Sequence, residues 1–264
     1  MGIRSPLVVG EWYHCYNRGV EKRRVFESIK DYERFLLLMY VGNSSNSIHI
    51  SNLRDKNLLG LLSNPSIDQV EPLVEVGAYS LMPNHFHFLL KEIREGGIAA
   101  FMQKVFTGYT MYFNKKNERT GALFSGVFKS KHVVDDRYLK WLVSYIHLNP
   151  IELVEPRWKE GVGDIKKIHK YLSKYRYSSL PDFYNSRRLE KKLLGNSIFE
   201  LFEEVPPMKK MLKDREKLFI LLGISVGILF GVIGIFPDFF AFNLHVNFIP
   251  YFLYLIGWTD LIKI

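Results

Sequence analysis

His85-Phe86-His87 is the stretch whose residue types and spacing point most directly to chemistry. On a strand, alternate side chains share a face, so His85 and His87 project together while Phe86, Phe88 and Leu90 turn to a core. Two adjacent imidazoles suit a divalent metal, although a pair of plain surface or core histidines has the same spelling. A second feature is Tyr145 with Asn149, spaced i, i+4 on one helix face directly before Pro150. Tyr138 and Leu142 share that stripe, so a half-buried tyrosine on a core face is the competing reading. In the functional reading Tyr145 is a nucleophile and Asn149 offers a carbonyl oxygen to the metal. A free phenol ionises at about 10 and attacks poorly. A cation polarising a phosphodiester would lower that barrier by stabilising charge in the transition state. Tyr109 and Tyr112 rival Tyr145 by residue type, but their helix also carries Phe101, Val105 and Phe113, which assigns them to packing.

The elements that must position these residues follow from periodicity and turn chemistry. A strand is expected over Glu11–Tyr16, then a turn at Asn17-Arg18-Gly19 and a basic cluster at Lys22, Arg23 and Arg24. Asp31 is placed to cap a helix with apolar positions Tyr32, Phe35, Leu36 and Met39. Residues 41–72, with Gly, Ser, Asn and Pro and weak periodicity, read as a long loop or insertion. Strands are expected over Val74–Leu81 and His85–Lys91, joined by a turn at Met82-Pro83-Asn84. A helix follows from about Ile98 to Lys116, then a strand within Gly121–Val134, interrupted at Gly126. A helix from about Asp135 to Asn149 is stopped by Pro150, since the residue before proline avoids the helical region. The order β-α-β-β-α-β-α is close to the split βαβ pattern of ferredoxin-like α+β folds. Residues 151–216 are polar, basic and poorly periodic.

Composition sets the outer bounds. In 264 residues, 47% are hydrophobic and 24% charged, which excludes a disordered chain. The single cysteine, Cys15, excludes a disulfide framework and a cysteine-built zinc site. Lys and Arg exceed Asp and Glu by 36 to 27, a net +9 that points to phosphate-rich partners, nucleic acid or an anionic membrane surface. From Lys217 onward the charges cancel, so that excess lies in residues 1–216. Leu7-Val8-Val9 is too short an apolar run for a signal peptide, which makes the cytoplasm the expected compartment.

Four stretches in order resemble the single-tyrosine HUH transposases, especially their REP-associated branch. They are Tyr13-His14-Cys15-Tyr16-Asn17-Arg18-Gly19, Leu81-Met82-Pro83-Asn84-His85-Phe86-His87, Arg119-Thr120-Gly121-Ala122-Leu123-Phe124-Ser125-Gly126 and Tyr145-Ile146-His147-Leu148-Asn149-Pro150. The resemblance implies a ferredoxin-like α+β HUH domain over residues 1–185, with 41–72 as a loop insertion. It matches His85 and His87 to the family's metal pair, Mg²⁺ or Mn²⁺ being the usual ion, Asn149 to its polar ligand and Tyr145 to its nucleophile. The implied reaction is metal-dependent cleavage and rejoining of single-stranded hairpin DNA through a 5′-phosphotyrosine link, as in DNA transposition and recombination, often by a homodimer. The alternative is a non-catalytic DNA-binding protein derived from a transposase. Candidate DNA contacts are Arg18, Lys115, Lys116, Arg119, Lys129 and Lys131. Further basic residues, Lys166, Lys167, Lys170, Lys174 and Arg176, interleave with Tyr171, Tyr175 and Tyr177, a composition suited to phosphates and unpaired bases. Phe124 and Val127 depart from the family's usual Trp and basic residue.

Residues 186–216 read as a basic linker and 217–264 as a hydrophobic helical tail. Leu218–Phe236 carries no charge over 19 residues, enough as a helix for about 28 Å of bilayer. Gly223, Gly227 and Gly231 recur every fourth residue, as in closely packed membrane helices. Phe239–Trp258 is a weaker second span. Lys209, Lys210, Lys213, Arg215 and Lys217 precede the first run and would keep the body on the cytoplasmic side of a membrane-anchored protein. A hydrophobic hairpin in a dimer interface is the other reading of this tail.

Overall fold

The computed structural model describes residues 6–46, 50–53, 55–63, 71–158, 163–184, 187–202 and 210–211. The chain divides into two compact units, residues 1–158 with 163–207, and residues 159–162 with 208–264. Of the second, Lys210 and Met211 alone are described, so the runs Leu218–Phe236 and Phe239–Trp258 lie outside the described residues. Among the described residues no helix is long and apolar enough to cross a membrane.

The first unit is built on four antiparallel strands, β1 (Trp12–Arg18), β2 (Val74–Met82), β3 (His85–Glu92) and β4 (Lys129–His132), in the order β2-β3-β1-β4. Each crossover therefore places two parallel strands on either side of a third, the split βαβ arrangement. Helices α1 (Ile29–Gly42) and α3 (Gly97–Lys116) cover one face. There Phe35 sits 5.6 Å from Phe86 between ring centroids, and Phe101 6.3 Å from Phe88. Helix α4 (Asp136–Leu148) lies on the opposite face, against β2 and β3.

Helix α1 begins one turn earlier than its sequence suggests. Ser28 is the N-cap, and Asp31 sits at the third helical position, accepting from the amides of Glu27 (2.9 Å) and Ser28 (2.8 Å). Its other oxygen takes Tyr112 Oη at 3.0 Å, and Lys116 Nζ lies 2.8 Å away, so this buried carboxylate ties α1 to α3. At the start of α3, buried Glu92 accepts from the amide of Ile98 at 2.7 Å, where the helix dipole favours negative charge.

Several expectations are corrected. Asn17 and Arg18 belong to β1, and the turn follows at Gly19. The 41–72 stretch is not a plain loop: α1 runs on to Gly42, and α2 (Leu58–Ser63) buries Leu58, Leu61 and Leu62. The strand expected within Gly121–Val134 shrinks to the four residues of β4, because Gly121 and Gly126 take positive φ (83° and 67°) in turns. Pro150 does end α4, yet Asn149 keeps helical dihedrals (φ −51°, ψ −40°) and the chain tightens into a 3₁₀ segment, Asn149–Leu153.

The polar 151–216 region also carries structure. Helix α5 (Ile165–Leu172) turns Ile168 and Leu172 inward, and α6 (Leu180–Phe183) and α7 (Ser197–Glu200) follow. Leu193, Leu194, Ile198 and Phe202 are buried, which places 187–202 in the folded body rather than in a linker. Residues 177–179 and 195 also occupy the outer side of β2. The amide of Leu81 donates to the Tyr177 carbonyl, that of Ser179 to Tyr79, and that of Gly195 to Val76, at 2.9–3.0 Å.

Gly97 shows how closely α3 approaches the strand entry. A Cβ there would lie 2.1 Å from the Leu73 carbonyl oxygen, a backbone atom that cannot swing away. Gly97→Ala is expected to cost roughly 1–3 kcal/mol, the usual range for overpacking, read as a lowered urea midpoint with unchanged slope.

Candidate active site

Strand register decides which side chains meet. Tyr16 pairs with His87 and Lys129, His14 with Leu89 and Lys131, and Arg18 with His85. One face of the sheet therefore presents Arg18, Tyr16, His14, His85, His87, Lys129 and Lys131, while Phe86, Phe88 and Leu90 point into the α1–α3 layer. Helix α4 is capped by Asp135, whose carboxylate accepts the Tyr138 amide at 2.6 Å, and brings Tyr145 down on this face. The Tyr145 ring stands edge-on to His87, with centroids 5.6 Å apart, and to His14 at 6.1 Å. Trp141 stacks on it at 5.4 Å and 13°, and Tyr138 stacks on Trp141 in turn. The result is an aromatic ladder along α4 that fixes the ring and leaves Tyr145 7% exposed.

The histidines are held as firmly. His85 Nδ1 lies 2.6 Å from Asn84 Oδ1, and the His85 and His87 rings are nearly perpendicular with centroids 5.1 Å apart. His87 Nδ1 lies 2.9 Å from His14 Nε2. Burial, aided by the nearby Lys131 ammonium, pushes the His14 pKa down to about 3, so this imidazole is neutral at physiological pH. His14 is the site residue that the sequence reading left as one letter of a motif. The alternation His14-Cys15-Tyr16 puts His14 and Tyr16 on one face, but only strand register reveals that the face is that of His87.

Asn149 is buried at the last turn of α4, its Nδ2 donating to the Tyr145 carbonyl at 2.8 Å. The amide is thus anchored through its nitrogen, and the oxygen is the atom of a kind that binds a hard cation. Among the described residues no group of three or more His, Cys, Asp or Glu is placed to hold a metal ion. As to donor chemistry, the pair His85 and His87 does fit one. A carboxamide oxygen only accepts, so a neutral His85 carries its proton on Nδ1 and its lone pair on Nε2. His147, two residues from Tyr145, points away: it is fully buried, pairs with Ser179 Oγ at 2.8 Å, and burial pushes its pKa down to about 3.

The basic residues divide between the two sides of the sheet. Arg18 and Lys129 are exposed on the histidine face, and Lys131 lies half-buried 5.4 Å over the Tyr138 ring, its pKa lowered by burial. Lys115 and Lys116 end α3, in the layer across the sheet, where Lys116 pairs with Asp31. Arg119 is held by Asn114 Oδ1 and the Ala122 carbonyl, with its guanidinium over Phe113. Tyr109 and Tyr112 lie in the same α3 layer. Tyr109 Oη donates to the Val25 carbonyl at 2.5 Å, with burial raising its pKa strongly, and the pKa of Tyr112 is pushed up to about 12 by burial and by Asp31.

No protein-family profile and no curated protein matches the chain. Among solved structures the chain is similar to one described as the structure of a REP-associated tyrosine transposase bound to a REP hairpin, at 12% identity over 72% of this chain and 90% of that one, with a TM-score of 0.43.

Proposed function

We propose that the protein is a metal-dependent, single-tyrosine nicking and joining enzyme of HUH-transposase type, acting on single-stranded hairpin DNA. The observation that carries the reading is the meeting of Tyr145 with His87 across the helix–sheet interface, 5.6 Å between ring centroids. His85, His87 and the Asn149 oxygen would hold Mg²⁺ or Mn²⁺, whose chemistry is to polarise a phosphodiester and offset its charge. Tyr145 Oη attacks phosphorus, the P–O3′ bond breaks, and the phenolic proton ends on the freed 3′-hydroxyl. One phosphodiester replaces another, so the strand can be rejoined without a nucleotide cofactor. Arg18, Lys129 and Lys131 flank the same face and would carry the DNA backbone.

The test is an end-labelled hairpin from the gene's flanks, incubated with the full chain and Mn²⁺ and run on a denaturing gel. A protein–DNA adduct is expected. Cleavage without adduct would instead identify hydrolysis by water. A second reading, a DNA-binding protein that no longer cuts, is favoured by the close packing of Tyr145 between Trp141 and His87, and it predicts binding with neither adduct nor cleavage.

Phosphate contacts by the β4 lysines are checked by salt dependence. Replacing Lys129 and Lys131 with alanine should flatten the log–log slope for single-stranded DNA by about 1.4, at about 0.7 per phosphate contact, while Lys115→Ala, in the layer across the sheet, leaves it unchanged. We read the uncharged Leu218–Phe236 run as a membrane anchor with the body in the cytoplasm, and the active form as a homodimer. Full extraction by carbonate, or a monomer by light scattering, would remove these two proposals.

A further inference from the structure

His14 has a defined place next to the proposed metal pair and no role in the reaction as stated above. Its Nε2 lies 2.9 Å from His87 Nδ1, the two ring planes are inclined by 23° with centroids 5.1 Å apart, and both side chains are buried. A neutral imidazole has one N–H and one lone pair, so one of these two rings donates and the other accepts. If His14 donated, the His87 proton would sit on Nε2 and no lone pair would remain for a cation. If His87 donates, the Nε2 of the neutral ring carries the lone pair, the same tautomer that a neutral His85 takes against Asn84.

We propose that His14 is a positioning residue, the hydrogen-bond acceptor that fixes His87 in the Nδ1–H tautomer and in the ring orientation that metal binding requires. The proposal rests on the metal reading of His85 and His87 given above. Carboxylates and carbonyls usually fill this orienting role behind a metal-bound histidine. Here the sheet supplies an amide for one histidine and a second imidazole for the other. His14 is not itself a third ligand, since its Nε2 is committed to His87 and the described residues form no three-member metal cluster. Its ring also meets Tyr145 edge-on at 6.1 Å. One side chain thus touches both the proposed nucleophile and a proposed ligand, and it sets their relative placement.

The experiment uses the full chain labelled with ¹⁵N at histidine, whose two-bond nitrogen–proton spectra show which ring nitrogen carries the hydrogen. In the wild type without metal, His87 is expected to carry it on Nδ1. In His14→Phe, which keeps the ring volume and removes the acceptor, that tautomer should be lost and Mn²⁺ affinity by calorimetry should fall about 10–100-fold. His14→Gln, whose side-chain oxygen can accept the same bond, should restore both. A wild-type His87 with its hydrogen on Nε2 overturns the proposal, even if His14→Phe fails to fold. So does a folded His14→Phe with an unchanged tautomer and Mn²⁺ affinity. A wild type that takes up no Mn²⁺, with His85→Ala behaving identically, defeats the metal reading instead, and the tautomer spectra still decide the role of His14.

Discussion

Tyr145→Phe is expected to abolish the covalent protein–DNA adduct, a fall of at least about 10³-fold, while DNA affinity stays within about twofold of wild type. The substitution removes one oxygen and keeps the ring that Trp141 stacks on and His87 meets edge-on, so packing should survive. Loss of adduct with retained binding then isolates the nucleophile from the scaffold. Tyr16 is the control, because its phenol also lies against the histidines, with its ring 6.0 Å from His87 and 4.9 Å from His14. Tyr16→Phe should leave the adduct in place. An adduct that survives Tyr145→Phe and disappears with Tyr16→Phe would move the chemistry from α4 to β1.

The largest expected effect on stability is at Asp31. Asp31→Ala removes the acceptor for two amides at the start of α1, for Tyr112 Oη and for Lys116, and is expected to cost about 3–5 kcal/mol. Burial by itself would raise the pKa of this carboxyl. The hydrogen bonds from Lys116, the Glu27 amide, Tyr112 and Ser28 outweigh burial and hold it below its ordinary 3.8. The folded-state pKa is thus depressed, so the contribution is fully present above 3.8 and is lost as pH falls through the lower folded value. Urea unfolding from pH 6 down into that acid range should show a steeper loss of stability for wild type than for Asp31→Asn. Parallel curves would remove the ionised carboxylate from the account.

The parts of this site that a reader could find in the sequence are those governed by local rules. His85 and His87 share a face because strands alternate, and Tyr145 ends up near the C-terminus of α4 because Asp135 opens that helix and Pro150 closes it. What was not legible depends on register and layering. Nothing local states that Tyr16 pairs with His87, so His14 stayed hidden, and nothing local puts Lys115 and Lys116 across the sheet from Lys129 and Lys131. Asp31 looked like the cap of α1 because its chemistry is that of a cap, whereas Ser28 three residues earlier holds the position. Residues 187–202 looked like linker because their helices are too short for periodicity to register. Their hold on the body comes from Gly195 bonding to β2 and from a few buried side chains.

That hold bears on how copies of the chain can associate. Strand pairing between molecules needs an open rim of amides and carbonyls, and the rim of β2 is already occupied by residues 177–179 and 195. Among the described residues the remaining rim is β4, only four residues long and carrying Lys129 and Lys131. Two copies meeting there would bring these ammonium groups together. Growth of the sheet into a shared or fibrillar structure is blocked on one side by occupancy and on the other by charge. An assembly of this chain would be expected to form through surfaces other than strand pairing.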